Sequence, residues 1–476
     1  MYKKLTILEM RFMDMAAIVI VAYLLAMLVI GIRGLSMKGL DDFHLASRSM
    51  NLVLLTGTFC ATIVGASATI GMAGLGFSKG MPGAWWMLSG TAGLLVLAAF
   101  FADKIRATGC YTLPELVGSF YGESARVVSS CLISISWIAV IAVQIIASGK
   151  VLGSVFGGNE AMFMIGCTAV FVLYTVHGGQ TSVVRTDLIQ FLIIITGMLV
   201  LFLRALESSG SGLLLSQSFP TSQEMGGWDV LSMLLVVGSA YLVGPDMYSR
   251  LFSAHSPKDA KIAAAIAAVI LVPLAFVITS LGIFSRSLFP AASPERAIPV
   301  LLTGLLSPAG EGLVSAALLA AFMSSADTSL MTATSIAALD LYRKARPGSS
   351  EERLMAVSRL SVFIIGALAL MLAVSMPNII KTLLVAYTVF ASGLLMPVIA
   401  GFYKDRLHLT SSGALAALVG GGATAIFLGQ RFPLLGMVVS AAFLFGVSWL
   451  DRHYAELKSQ SVAWINKIFS ISIREK

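Results

Sequence analysis

The chain has 476 residues, 57% of them hydrophobic and only 12% charged, with a formal net charge of +8. A charged fraction about half that of soluble domains excludes an ordinary soluble enzyme or nucleic-acid-binding domain and marks an integral membrane protein. Crossing the hydrocarbon takes roughly 20 apolar residues per helix, whereas a β-barrel alternates over segments of about ten. The sequence has the long runs and lacks the alternation, so the expected class is all-α.

Charges, Pro and Gly divide these runs into thirteen candidate spans, at 14–33, 51–77, 84–102, 127–149, 161–178, 186–206, 230–251, 262–285, 311–340, 360–376, 380–402, 411–429 and 432–450. The first has too long an apolar core for a signal peptide, and no small-x-small cleavage pattern follows it. The intervening loops reach only about 25 residues, so residues 1–476 read as a single transmembrane domain with a tail at 451–476. With the C-terminus inside, 22 of the 32 Lys and Arg fall on the inner side. The chain is thus expected to be multi-pass in a bacterial inner membrane, N-terminus outside and C-terminus cytoplasmic, although Lys3, Lys4 and Arg11 alone would pull the other way. The positive charge then reflects topology, not affinity for nucleic acid. In the tail, Trp464, Ile465, Ile468, Phe469 and Ile471 at helical spacing among Lys458, Lys467 and Arg474 suit a helix on the inner surface.

Cys60, Cys110, Cys131 and Cys167 lie singly in or beside apolar runs and read as packing residues. None of the four asparagines starts a glycosylation sequon. The five histidines are scattered near loops, and neither HExxH nor GxSxG occurs, so no catalytic residues are assigned.

Two spans are interrupted. Span 2 carries GASATIGMAGLG (65–76) and span 7 carries GSAYLVGP (238–245), so the interruptions open two consecutive five-span blocks, 2–6 and 7–11. Such a matched pair points to a secondary transporter's binding site, because unwound backbone offers carbonyls and amides at mid-membrane. Small residues that merely let helices pack closely are the alternative.

Span 9 contains MSSADTSLMTATS (323–335). On a helix, Ser324, Ala321, Ser325, Thr328, Thr332 and Ser335 share an arc of about 100°. Lipid would not select such a stripe. Hydroxyl and carbonyl oxygens are hard ligands, and sodium can bind them if a facing helix adds backbone carbonyls, with the interrupted span 2 the natural donor. Alternatively, the hydroxyls simply bond their own backbone four residues back. Asp327 lies some 60° off the stripe and must face protein, water or a cation. Asp187, at the inner end of span 6, is a second candidate, or a partner of Arg185. Asp246 and Arg250 read as close to the inner surface and outside the site.

These stretches carry a resemblance. AAFMSSADTSLMTATSIAALDLYR, GASATIGMAGLG, YTLPE (111–115), GGQTSVVRTDLIQ (178–190) and GPDMYSRLFSAHSPKDA (244–260) resemble, in this order, the sodium:solute symporter family, whose members carry proline, pantothenate, monocarboxylates, sialic acid or glucose. The likeness runs over roughly residues 14–450. It implies a leucine-transporter-type inverted five-plus-five helix repeat over 51–402, an extra first helix at 14–33 and two more helices at 411–450. It also implies a sodium site on the carbonyls of Ala66, Thr69 and Ala321 and the hydroxyls of Ser324 and Ser325. A second cation site would fall on Asp187, Asp327 and Thr328, with a proton on Asp327 as the alternative. Tyr241 matches a tyrosine that contacts proline in the proline carrier, but Val237 and Ala68 depart from that carrier's Trp and Asp. Trp137 and Gln144, seven apart on span 4, share a face that would line the pocket, with ordinary packing the alternative for Trp137, and Ser67 completes the expected substrate contacts. No Arg or Lys in spans 2, 4 or 7 is expected at pocket depth, so a carboxylate would rely on backbone amides.

The resulting expectation is a sodium-coupled symporter importing a small organic solute (amino acid, monocarboxylate or vitamin-like) by alternating access, with sodium, solute and lipid bilayer as its partners and no obligatory protein partner. A proton-coupled carrier of the same solutes and a membrane solute sensor are the competing readings.

Overall fold

The computed structural model describes residues 2–32, 39–376, 378–429 and 431–474, and no side chains for residues 2–14, 32, 174 and 455–474. The expectations placed on Lys3, Lys4, Arg11, Arg33, Lys38 and the side chains of the tail therefore lie outside the described residues.

All thirteen predicted spans coincide with helix. Among the described residues, ten helices are long and apolar enough to cross a membrane, and the bent pair Leu52–Ile63 and Ser67–Lys79 supplies an eleventh. Two shorter apolar helices, Met15–Gly31 and Glu160–Leu173, fall on spans 1 and 5. Hydroxyl and amide caps set several starts. Asn51 accepts the Leu54 N–H at span 2, Ser307 the Gly310 N–H at span 9, Ser350 the Arg353 N–H at span 10 and Thr410 the Gly413 N–H at span 12. Each satisfies one of the amides a helix N-terminus leaves free. Spans 8 and 9 also begin on a proline, which lacks the unneeded N–H.

Three breaks shape the architecture. Span 2 leaves the helix at Val64 (φ −84°, ψ 60°) and re-enters through a π turn, Ser67–Gly71, so its halves meet at 60°. Span 7 ends its first helix at Leu242 and starts a second, Pro245–Ser253, after the extended residue Gly244. Spans 5 and 6 join at Gly179, whose φ of +51° suits glycine; a side chain there would also strike the Phe43 carbonyl, 2.7 Å from its Cβ.

The chain divides into two compact units, residues 1–113 with 133–387 and residues 114–132 with 388–476. In the second, spans 12 and 13 pack together, tied where Thr410 donates to Asp451 at 2.7 Å and Ser448 accepts the Thr410 N–H at 3.0 Å. In the first, span 9 is the central element: every side chain from Val314 to Ile336 is buried. That enclosure explains why a span with eight hydroxyls is tolerated, since its polar face meets protein rather than lipid.

Candidate functional site

Where span 2 breaks, its backbone hydrogen bonds are redistributed. The Val64 N–H still reaches Cys60, but the Ala66 N–H is taken by the Gln144 side chain of span 4 at 2.9 Å. The carbonyls of Ala61 and Thr62 accept hydroxyl protons from span 9: Ser324 Oγ donates to Ala61 at 2.9 Å and Ser325 Oγ to Thr62 at 2.7 Å. Ser324 is also 3.1 Å from the Ala321 carbonyl. Five oxygens, from Ala61, Thr62, Ala321, Ser324 and Ser325, thus gather between two helices without a formal charge among them. This is the donor chemistry that suits an alkali cation.

The serine pair meets span 2 at carbonyls earlier in the chain than the two expected there. Ala66 and Thr69 do not supply the carbonyls that meet the serine pair. Inside the π turn, the Ala66 carbonyl accepts the Gly71 N–H at 3.0 Å and the Thr69 carbonyl accepts that of Met72. The contact falls one turn earlier, because a helix presents free carbonyls just before its break, where the i+4 amides have been diverted. Gly65 makes the approach feasible: a Cβ there would lie 2.4 Å from Ser325 Oγ and 3.0 Å from Gln144 Oε1. The backbone-bonding alternative also holds for part of the stripe, since Thr328 donates to the Ser324 carbonyl at 2.8 Å and Ser335 to that of Met331 at 2.8 Å.

Beside these oxygens lies an ionic cluster that the sequence did not reveal. Arg250 and Asp187 are both fully buried and pair at 3.1 Å. The same guanidinium nitrogen bonds Thr62 at 2.8 Å and reaches the Thr328 hydroxyl, while Thr58 donates to Asp187. Two of the residues expected to hold a second cation, Asp187 and Thr328, are therefore held by a side-chain cation. Asp187 does not pair with Arg185, which is exposed. Arg250 is fully buried in protein. Its four-residue spacing from Asp246 after Pro245 is the signal available in the sequence, because it puts both on one face of the helix that starts there. Asp327, the third residue, is not among the hydrogen-bond partners of the guanidinium, which are Thr62, Asp187 and Thr328. Its Oδ1 accepts from Thr175 at 3.1 Å, and its Oδ2 is buried without a hydrogen-bond partner.

A cavity of about 30 Å³ opens on the pocket side of the serine pair. It is lined by Thr62, Gly65 and Ser67 of span 2, Trp137 and Gln144 of span 4, Tyr241, Asp246 and Met247 of span 7, Ser325 and Ser329 of span 9, and Tyr387 of span 11. All four expected substrate contacts, Tyr241, Gln144, Trp137 and Ser67, meet here. Asp246 and Tyr387 were missed. The volume suits a water or two, so the pocket is closed down around its polar groups. A basic residue does lie deep in span 7, but Arg250 is not in the lining and is engaged by Asp187, Thr62 and Thr328.

The chain is similar to several known proteins. The osmoregulated proline transporter of Bacillus subtilis is 27% identical over 433 residues, covering 85% of this chain and 86% of its own. The sodium/pantothenate symporter of Escherichia coli is 26% identical, covering 85% and 88%. The sodium/glucose cotransporter of Vibrio parahaemolyticus is 27% identical, covering 84% and 81%. Among solved structures, the substrate-bound outward-open state of a sodium-coupled sialic acid symporter superposes with a TM-score of 0.78 at 18% identity, covering 92% of this chain and 98% of that one. MhsT in complex with L-phenylalanine gives 0.57 at 14% identity, covering 84% and 98%. These likenesses identify the fold as the leucine-transporter type, an all-α membrane architecture of inverted five-helix blocks. The sodium:solute symporter family profile matches residues 43–421, most of the length and every element of the site, so the chain is a transporter rather than an enzyme and belongs to the sodium:solute symporter family.

Proposed function

We propose that this chain is a sodium-driven symporter that imports a small organic solute across a bacterial inner membrane as a single transporter domain, with its C-terminus cytoplasmic. The observation that carries the reading is the contact of Ser324 and Ser325 with the carbonyls of Ala61 and Thr62. Sodium entering between spans 2 and 9 takes the oxygens of Ala61, Ala321, Ser324 and Ser325 as ligands, and the hydroxyl protons that now tie the spans rotate outward. Ala66 and Thr69 shape the π turn beside the ion instead of ligating it. The second cation position is met by Arg250, which neutralises Asp187 and leaves one sodium as the mobile charge.

Solute binds against Tyr241, Gln144, Trp137 and Ser67 in the adjoining cavity. Because Ser325 borders both the ion and the cavity, sodium and solute stabilise the same packing of spans 2 and 9, which is the differential binding that coupling requires. Membrane potential adds about 2.3 kcal/mol per charge per 100 mV, so a single sodium can drive accumulation. The test is uptake into proteoliposomes under an inward sodium gradient. Uptake that runs equally well in choline buffer without any ion gradient would exclude the reading.

One observation favours a second reading. The partnerless Oδ2 of Asp327 is a position where a proton relieves a buried charge. A proton-coupled cycle would be driven by a pH gradient in the absence of sodium, and the same vesicles report it.

A further inference from the structure

The cavity carries a charge that the sequence reading left out. Asp246 lines it, together with Trp137, Tyr241 and Tyr387, and no Lys, Arg or His stands in the lining. The Oδ1 atom of Asp246 accepts the Met247 N–H at 3.0 Å at the start of the second helix of span 7, which fixes the carboxylate at the mouth of the break. Among the described residues its hydrogen bonds come from backbone amides and none from another side chain, so no side-chain donor occupies it. The nearest cation on the same helix, Arg250, is held by Asp187, Thr62 and Thr328.

From this geometry we infer that the transported solute presents a protonated or quaternary amine to Asp246, with aromatic rings around it. The inference rests on the solute site proposed above and narrows its substrate class. A carboxylate and aromatic faces are complementary to an ammonium group: the carboxylate supplies a charge-assisted hydrogen bond, and the ring faces supply quadrupole attraction. A solute whose only charge is a carboxylate meets like charge at Asp246 and finds no side-chain cation in the lining to offset it. The pocket therefore selects zwitterionic or cationic amines over simple monocarboxylates. Val237 and Ala68, which stand where the proline carrier has Trp and Asp, do not alter this, because the charge sits on a different residue of span 7.

The test uses purified full-length protein in proteoliposomes on a solid-supported membrane, at saturating sodium and pH 7. The probes are L-proline, glycine betaine, choline and putrescine on one side, and pyruvate and pantothenate on the other. Amine probes should evoke sodium-dependent currents, and pyruvate and pantothenate should not. Asp246→Asn, which keeps an oxygen for the Met247 N–H, should raise the half-saturating concentration of the carried amine at least about tenfold, while Asp246→Glu stays within about threefold. Sodium binding without solute, followed by intrinsic tryptophan fluorescence, should be unchanged in both variants. Sodium-driven pyruvate or pantothenate current in the wild type, or an Asp246→Asn half-saturation equal to wild type for an amine, overturns the amine assignment and leaves sodium coupling standing. Amine currents that ignore sodium would instead strike at the symport reading.

Discussion

Ser325 of span 9 gives its hydroxyl proton to the Thr62 carbonyl of span 2, 2.7 Å away, and one residue earlier Ser324 does the same to Ala61 at 2.9 Å. Two hydroxyls thus bridge two helices at the point where one of them is broken, and the same oxygens are the proposed sodium ligands. Removing either should weaken sodium more than solute. Ser324→Ala and Ser325→Ala are each expected to raise the sodium concentration for half-maximal uptake by about tenfold or more, the loss of one charge-assisted ligand. At saturating sodium the solute half-saturation should move far less. Initial uptake rates titrated against sodium and then against solute separate the two effects, and equal shifts in both would count against the assignment.

Gly65 is the residue that lets this contact form. An added Cβ would sit 2.4 Å from Ser325 Oγ and 3.0 Å from Gln144 Oε1. Gly65→Ala should therefore cost about 1–3 kcal/mol through overpacking and abolish sodium-dependent uptake. A thermal midpoint and uptake equal to wild type would show that spans 2, 4 and 9 can part without consequence.

The Arg250–Asp187 pair is fully enclosed. Replacing Arg250 by Met leaves a buried carboxylate without its counter-charge and should destabilise by about 3–5 kcal/mol, whereas adding Asp187→Leu should recover much of the loss, because the pair's desolvation cost disappears with it. Thermal unfolding of the single and double variants in detergent reads the coupling. Additive losses would mean that the two charges do not depend on each other.

Asp327 separates the two ion-coupling readings. With sodium as the driving ion, Asp327→Asn should retain sodium-driven uptake within about threefold, because the amide still accepts from Thr175. A proton relay would instead leave that variant unable to use a pH gradient. Parallel uptake under each gradient decides between them.

Acid sensitivity should come from the connection between spans 1 and 2. His44 is buried, with Nδ1 2.7 Å from Ser335 Oγ and Nε2 3.1 Å from Ser358 Oγ, so it joins this connection to spans 9 and 10. Burial, reinforced by Arg343, pushes its imidazole down to about 3. The folded chain keeps it neutral while the unfolded chain takes up a proton below about pH 6.5. The stability contributed by the neutral ring is therefore complete above that pH and declines progressively as the medium is acidified towards pH 3. Between pH 7 and 5 the loss should be about 2 kcal/mol. The thermal midpoint should fall over that interval, and His44→Gln should flatten the dependence. An identical slope in the variant would place the acid sensitivity elsewhere.

Much of this molecule was legible before any coordinates. Long apolar runs have few physical solutions in a bilayer, so hydropathy and the positions of Gly and Pro sufficed to locate the apolar helices and the interruptions in spans 2 and 7. The hydroxyl stripe of span 9 was legible for the same reason: a helix converts spacing into a face. Partners across space were not. That the serine pair meets Ala61 and Thr62 depends on where the span 2 ladder gives way, which Gln144 of span 4 helps set by taking an amide. Asp246 and Arg250 read from spacing alone as charges near the inner surface and outside the site, yet the helix that restarts at Pro245 sets Asp246 in the cavity lining and Arg250 against Asp187. Periodicity thus determined which residues share one face of one helix. Which faces meet, which charge answers which, and which carboxylate looks into the cavity were decided only by packing, because those pairings join residues tens to hundreds of positions apart, where local spacing carries no information.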